Sequence, residues 1–513
     1  MTLKLLPIIG LLGVLLSAPA IAAEDQDLKL PDLGDSSARV LSREQEHEYS
    51  TRLLQQMRNY DVTVEDPELI EYLETLGYRL VLASGRTEQN FHFVLIDFPV
   101  VNAFASPGGV IATYAGLMLA AENENELAGV LAHEIAHVTQ RHIARRMEST
   151  MEDAIPILLG TIAMAAAASG QGDGAQAAMV SGMALLQQRQ INFTRDNEYE
   201  ADRIGIQTLA KAGFNPVGMA DFFARLNVLY RVSTDEVPEY LRTHPVTTTR
   251  IAEAKARAGR LERETQRSSS LEFQLMRERL RVLSHDDPHK LAEFYRGSSR
   301  AARLDPQALA YGVALAQMRT GQYAEARRGF AALAERDPER LSFALALAEV
   351  DRAERRFEAA NQRYAAMAKA RPGHRVVAMM QARCLLEEGK PEGATLAADI
   401  LKPLLVRFPD DLGLFESLGR AHQLAGDEVA AGEAYARAFF LRGRLEDALR
   451  QLEQMALRAD LDYYQRARID AQIAEWRPVV LEERRRNLLG GDRISDQVQS
   501  MRMTAGASML RRH

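Results

Sequence analysis

Two stretches of this chain carry one pattern written twice. "GQYAEARRGFAALAERDP" (321–338) and "RRFEAANQRYAAMAKARP" (355–372) align so that Ala326, Phe330, Leu333 and Pro338 fall on Ala360, Tyr364, Met367 and Pro372, a shift of 34 residues. A unit that short cannot bury an apolar face alone, so neighbours must stack into a row. Small residues let paired helices approach, aromatics fill the adjacent gaps, and proline ends the second helix. A weaker copy follows with Leu418, Gly419, Gly426, Ala431, Tyr435 and Ala438, and "GRLEDALRQLEQM" (443–455) echoes the second half again. Spacing stretches between Pro372 and Pro409, marking an insertion or a degenerate unit. Ordinary helical-bundle packing is the plainer alternative.

A 34-residue period with this chemistry resembles the tetratricopeptide repeat and implies an α-solenoid over 306–480. At 513 residues the chain has room for at least one further domain with its own core. A composition of 47% hydrophobic and 26% charged residues reads as globular, and the scarcity of aromatics (6%) leans it towards helix. The net charge of −7 gives no reason to expect nucleic acid as a partner. The single cysteine, Cys384, rules out an intrachain disulfide and sits on an apolar helical stripe, where a buried structural thiol is expected.

The start, "MTLKLLPIIGLLGVLLSAPAIAAEDQD", has one positive charge at Lys4, an apolar run from Leu5 to Leu16 and small residues at Ala20 and Ala22. The run is too short to span a bilayer, so residues 1–22 read as a secretory signal cleaved near Ala22, with an uncleaved anchor as the alternative. The mature chain is then expected outside the cytoplasm.

Helical spacing runs from about Arg43 to Tyr60 and from Asp66 to Leu82, with Asp66-Pro67 a helix start. "NFHFVLIDFP" and "VVNAFASPGGVIATYAG" break it, and Ser106–Gly109 makes a turn between two short strands. Helix returns from Glu122 to Arg146, with Asn123 and Glu126 as a capping pair. Residues 155–186 hold two apolar arms around a turn at Gly170–Gly174, either a buried hairpin or one that touches a membrane peripherally. A further helix is expected from Arg195 to Lys211, ending at Ala212-Gly213 before Pro216. The charged stretch 263–307 reads as an inter-domain connection.

Within "LAHEIAHVTQRH" (131–142), His133 and His137 are four apart and share a helix face, about 40° apart in projection. Leu127, Leu131, Ile135 and Val138 fall on the far side, so the helix buries an aliphatic stripe and offers two imidazoles opposite it. Zinc hydrolysis needs this arrangement: two neutral imidazoles for the ion and an adjacent carboxylate, here Glu134, to take a proton from water. His142 falls about 140° round from His137 and is expected to point away. A catalytic site wants a third protein ligand. "NEYEADRIG" offers Glu198, with Asp202 on the same face as an acceptor for an imidazole N–H. The plainer alternative is that acidic residues are common in the first turns of helices. Glu200 lies about 200° from Glu198 and reads as solvent-facing or salt-bridge material.

"NAFASPGGVIATYAGL", "ENELAGVLAHEIAHVTQRH", "NEYEADRIG" and "THPVTTTRI" occur in that order. Together they resemble the gluzincin metallopeptidases of the HtpX type, and the likeness to soluble members with a repeat array covers essentially the whole mature chain. The resemblance implies a mainly α fold with a small β-sheet: a zincin-like metallopeptidase domain followed by a solenoid of tetratricopeptide-like repeats. It implies one Zn2+ per chain on His133, His137 and Glu198, with Glu134 as general base and Asp202 orienting His133 or His137. His244, in the family's His-Pro motif with Arg250 following as a supporting residue, would lie over the site and occupy the open zinc position. A transition-state role for His244 is the rival reading. Asn102, Ala103, Phe104 and Ala105 would form a strand to which extended substrate adds; an ordinary core strand fits the letters equally well.

These readings divide the chain into 1–22 (signal), 23–265 (metallopeptidase), 266–305 (helical connection), 306–480 (repeats) and 481–513 (basic tail). The resemblance implies a periplasmic zinc endopeptidase brought by its repeats to unfolded or misfolded outer-membrane proteins and their assembly machinery. The alternative is a repeat-based chaperone or adaptor with latent proteolysis.

Overall fold

The computed structural model describes residues 36–150, 172–232, 239–261, 270–285, 287–298 and 301–488. The expected leader, the first arm of 155–186 and the tail beyond Leu488 lie outside the described residues.

The chain is mainly helical with one three-stranded sheet. Helix α1 (Arg43–Asn59) starts on a reciprocal capping box between Ser42 and Gln45, and α2 (Pro67–Ser84) starts where Asp66 accepts the Leu69 N–H. Strands β1 (His92–Ile96), β2 (Ala103–Ala105) and β3 (Val110–Tyr114) follow. β3 is central, parallel to β1 with His92 opposite Val110, and antiparallel to β2 with Ala103 opposite Thr113. The expected turn at 106–109 thus joins β2 to β3, and β2 is an edge strand.

After α3 (Ala115–Ala120) comes α4 (Glu124–Thr139), capped by Asn123 accepting from the Glu126 N–H. The Glu126 carboxylate reaches back to the Glu122 N–H at 2.7 Å, one residue earlier than a capping box would place it. α4 stops at Thr139, short of the expected Arg146, because Arg141 takes a left-handed conformation (φ 51°) before helix resumes at 142–150. In contrast, α5 (Gly172–Lys211) is much longer than the helix expected from Arg195, and Gly172 and Gly174 of the anticipated turn lie inside it. It ends as expected, at a left-handed Gly213 (φ 77°). Helices α6 (Val217–Val232), α7 (Glu239–Thr243) and α8 (Thr248–Leu261) complete this part.

Gly205 brings α5 against the motif helix. A Cβ there would lie 2.7 Å from Met219 Cε and 3.1 Å from the His133 backbone nitrogen. Glu198 and Asp202, on the preceding turns of α5, are thereby carried to the imidazoles of α4.

The stretch 266–305, expected as a helical connection, contains a helix that is part of the core. Helix α9 (Leu271–Leu283) buries Phe273, Met276 and Leu280 in one apolar cluster that runs from Leu69 to Val350. Its Arg279, 3% exposed, pairs with Asp66 (2.7 Å), Glu68 (3.0 Å) and Glu349 (3.1 Å). After α10 (Pro288–Gly297) come the helices of the repeat array: α11 (Pro306–Arg319), α12 (Tyr323–Arg336), α13 (Leu341–Ala353), α14 (Phe357–Ala370), α15 (Arg375–Glu388), α16 (Pro391–Leu401), α17 (Leu412–Ala425), α18 (Glu428–Leu441), α19 (Leu445–Ala456) and α20 (Tyr463–Leu488). Ala326, Phe330, Ala360 and Tyr364, equivalent in the repeat, are fully buried. The stretched spacing before Pro409 is a 3-10 turn, Lys402–Val406, appended to α16. Cys384 is buried, and burial pushes its thiol up to about 12, as suits an inert packing group.

The array folds back onto the metallopeptidase part. Gln55 of α1 donates to the Phe440 carbonyl at 3.0 Å, Arg442 meets Asp61 at 2.6 Å, and Arg375 meets Glu74 at 2.6 Å. α20 continues through Arg484–Arg486, so the basic stretch expected as a tail from 481 begins inside a helix.

Candidate metal centre

Four side chains from three elements converge. His133 and His137 come from α4, Glu198 from α5 and His244 from the end of α7, and one donor atom of each lies within 4.8 Å of the rest. His133 Nε2 is 3.1 Å from His137 Nε2, 3.4 Å from His244 Nδ1 and 3.4 Å from Glu198 Oε2. Glu198 Oε1 lies 3.4 Å from His137 Nε2 and 3.1 Å from His244 Nδ1. Donors about 2.0–2.2 Å from a tetrahedral zinc ion sit roughly 3.3–3.6 Å apart, so these separations approach the edges of such a tetrahedron. The set of three imidazoles and one carboxylate is also what zinc prefers. Glu134 beside it is 1% exposed, and neither carboxylate oxygen has a hydrogen-bond partner. A buried carboxylate left bare is costly unless a cation or a bound reactant compensates it, and a metal ion in this cluster would do so. The residues present therefore fit a divalent metal.

The surroundings hold each donor in place. His133 Nδ1 faces Asp202 Oδ1 at 3.0 Å, so Asp202 partners His133. Arg250 grips Asp202 through two hydrogen bonds of 2.8 Å, meets Glu198 at 2.9 Å and donates to the Pro245 carbonyl at 2.9 Å. It ties the helix that carries Glu198 to the loop that carries His244. Tyr240 stacks on His244 (4.9 Å, 30°), and Phe223 meets His133 edge-on at 5.9 Å. His244 itself is 9% exposed, with Nε2 3.7 Å from Glu134 Oε1.

Electrostatics separate the two motif histidines. Burial works against charge on His133, but hydrogen bonds to Asp202 and Glu198 outweigh it and lift its pKa to about 10. Burial drives His137 well below the ordinary histidine value, despite the Glu198 charge. Burial would raise Glu198 and Asp202, yet the facing histidines and, for Asp202, Arg250 keep both below the usual carboxylate range.

His142 departs from its expected direction. It turns back so that its Nδ1 lies 2.9 Å from His137 Nδ1, because the left-handed Arg141 breaks the helical phase on which the 140° offset relied. Glu200 is salt-bridge material as expected, but its partners are His142 Nε2 (3.2 Å) and Arg145 (2.9 Å). Neither His142 nor Tyr240 carried a sequence signal linking it to the site.

Asn102 and Ala103 are buried, while Phe104 and Ala105 are partly exposed. Ala105 shares a cleft of about 250 Å³ with His137, Glu46, His47 and Gly108, so the edge strand lies beside the metal cluster.

A motif helix bearing His-Glu-x-x-His and a second helix bearing Glu-x-x-x-Asp, closed round a cluster of possible metal ligands, are the features of a metallopeptidase. Residues 67–258 match Peptidase family M48. The chain is 33% identical over 472 residues to the "Beta-barrel assembly-enhancing protease" of Escherichia coli (strain K12), covering 91% of this chain and 94% of that protein. It is 38% identical over 332 residues to the "Putative beta-barrel assembly-enhancing protease" of Vibrio cholerae, covering 63% and 67%. To the "Metalloprotease LoiP" of Escherichia coli (strain K12) it is 33% identical over 128 residues, 25% of this chain and 47% of that one. The chain belongs to Peptidase family M48 and is a metallopeptidase.

Proposed function

We propose that this chain is a zinc endopeptidase of the periplasm that acts in outer-membrane protein assembly and quality control, cleaving misfolded or stalled proteins. The convergence of donor atoms from His133, His137, Glu198 and His244 within 4.8 Å of one another, with a bare Glu134 beside them, carries this reading. His133, His137 and Glu198 would hold one zinc ion, whose contribution is Lewis acidity towards water and a peptide carbonyl. Glu134 takes the proton from the attacking water and returns it to the leaving amine. Asp202 fixes the His133 ring, and Arg250 fixes Asp202. Extended substrate adds to β2 at Asn102–Ala105, whose partly exposed end reaches the cleft beside His137.

The periplasmic setting rests on the leader-like residues 1–22 and on what the long-matching relatives are named for. Among the described residues no helix is long and apolar enough to cross a membrane. The helices after 306 present the repeat surface that would recruit unfolded substrates and the assembly machinery.

One observation favours a second reading, a chaperone or adaptor with latent proteolysis: His244 is nearly buried and lies within the donor cluster, where it would close the fourth position. Cleavage of unfolded casein by the mature chain, Glu134→Gln and His244→Ala under zinc-replete conditions separates the two. Loss of cleavage in Glu134→Gln by at least about 100-fold, with a gain in His244→Ala, supports the peptidase restrained by His244. No cleavage by any of the three, or full cleavage by Glu134→Gln, overturns it.

A further inference from the structure

The two motif histidines are held from behind in different ways. His133 presents Nδ1 directly to the Asp202 carboxylate at 3.0 Å. His137 presents Nδ1 to another histidine, His142, at 2.9 Å, and His142 turns its own Nε2 to Glu200 at 3.2 Å. We propose that His142 and Glu200 are positioning residues for His137, a carboxylate–histidine–histidine relay that fixes the ring and tautomer with which His137 meets the metal. The inference rests on the reading of His137 as a ligand.

The proton inventory allows one consistent assignment. His137 Nε2 faces the other ligand atoms and must keep its lone pair, so its proton sits on Nδ1. That N–H donates to the Nδ1 lone pair of His142, whose own proton then sits on Nε2. The second N–H donates to the Glu200 carboxylate, an acceptor only. Every site is used once, and none competes with the metal.

The backbone is bent to make this contact. Arg141 holds φ 51°, a left-handed conformation that costs a non-glycine residue stability. Its guanidinium, 6% exposed, is anchored by Glu46 at 3.1 Å and by the Leu41 carbonyl at 2.5 Å. Had α4 continued regularly, His142 would have faced away from His137. Arg145 meets Glu200 at 2.9 Å and keeps it aimed at His142. A strained, anchored turn that returns one imidazole to the back of another is a built feature, of the kind that orients metal-bound histidines elsewhere.

The test is zinc affinity, read by competition with a chromophoric chelator on the mature full-length chain. Wild type, His142→Ala, His142→Asn, Glu200→Ala and Ile143→Ala are compared, each with a melting curve in chelator. His142→Ala should weaken zinc binding about 10- to 100-fold, and Glu200→Ala by less. His142→Asn, which places a carbonyl oxygen near the lost Nδ1, should recover part of the loss. Ile143→Ala, on the same turn, should bind as wild type does, and melting in chelator should move little across the set. Unchanged affinity in His142→Ala and Glu200→Ala overturns the relay, as does an equal loss in Ile143→Ala, which would mean local packing alone. Should His142→Ala fail to fold, the Asn and Glu200 variants decide it. Wild type that binds no zinc overturns the ligand assignment itself, and the relay with it.

Discussion

The metallopeptidase part and the repeat array are both helical with apolar interiors, but only the first gathers its buried ionisable groups around one point. Between α4 and α8 the interior includes His133, Glu134, Glu198, Asp202, His244 and Arg250, all 9% exposed or less. In the array the helix crossings are filled by Ala326, Phe330, Ala360 and Tyr364, and a buried charge such as Asp351 pairs with Arg327 at 2.9 Å. Burying charge costs free energy unless it is compensated, so the first region depends on its ion pairs and on a cation near the bare Glu134, whereas the second depends mainly on packed area. The network defines one arrangement of three elements around a point. The repeats define only how each helix meets its neighbour.

This contrast breaks most sharply at Arg250. Arg250→Ala removes the guanidinium that pairs with both Asp202 and Glu198 in a buried site, so a loss of about 3–5 kcal/mol is expected. Zinc binding should weaken with it. A denaturant titration with and without zinc checks this, and an unchanged midpoint would mean that the network contributes no stability. Tyr364→Ala should cost a similar or slightly smaller amount, about 3–4 kcal/mol from lost packing, and leave zinc affinity alone. Chelator competition on that variant would sharpen the comparison, because a large change in affinity would mean that the two regions are energetically one.

A smaller effect is expected where they meet. Burial would raise Asp66, but Arg279 holds it below its ordinary 3.8. A depressed carboxylate contributes stability that is present above its unfolded pKa and lost as pH falls through the folded value. Asp66→Asn should therefore destabilise the protein by about 1–3 kcal/mol at pH 7, with the gap from wild type narrowing below roughly pH 4. A gap that stays constant on acidification would contradict this assignment.

What could be read from the letters follows the same division. Periodic and capping features were legible: the span of α1, the capped starts of α2 and α4, and the aligned positions in the repeats. His133 and His137 could be placed on one face because α4 is regular between them. Features made by irregular backbone or by distant pairing were not. The left-handed Arg141 reverses His142, and nothing in "TQRH" announces it. Arg279 looks like one more surface arginine until α9 is seen to join Asp66, Glu68 and Glu349. The reach of α5 back to Gly172 was hidden because a glycine-rich stretch reads as a turn.

The central claim is that α4 and α5 share one metal ion. Zinc content per chain, measured by atomic absorption after gel filtration, tests it most directly on wild type, Glu198→Ala and His244→Ala. One zinc per wild-type chain is predicted, with none retained in Glu198→Ala and zinc retained in His244→Ala. A wild-type chain without zinc, or Glu198→Ala with a full complement, would contradict it.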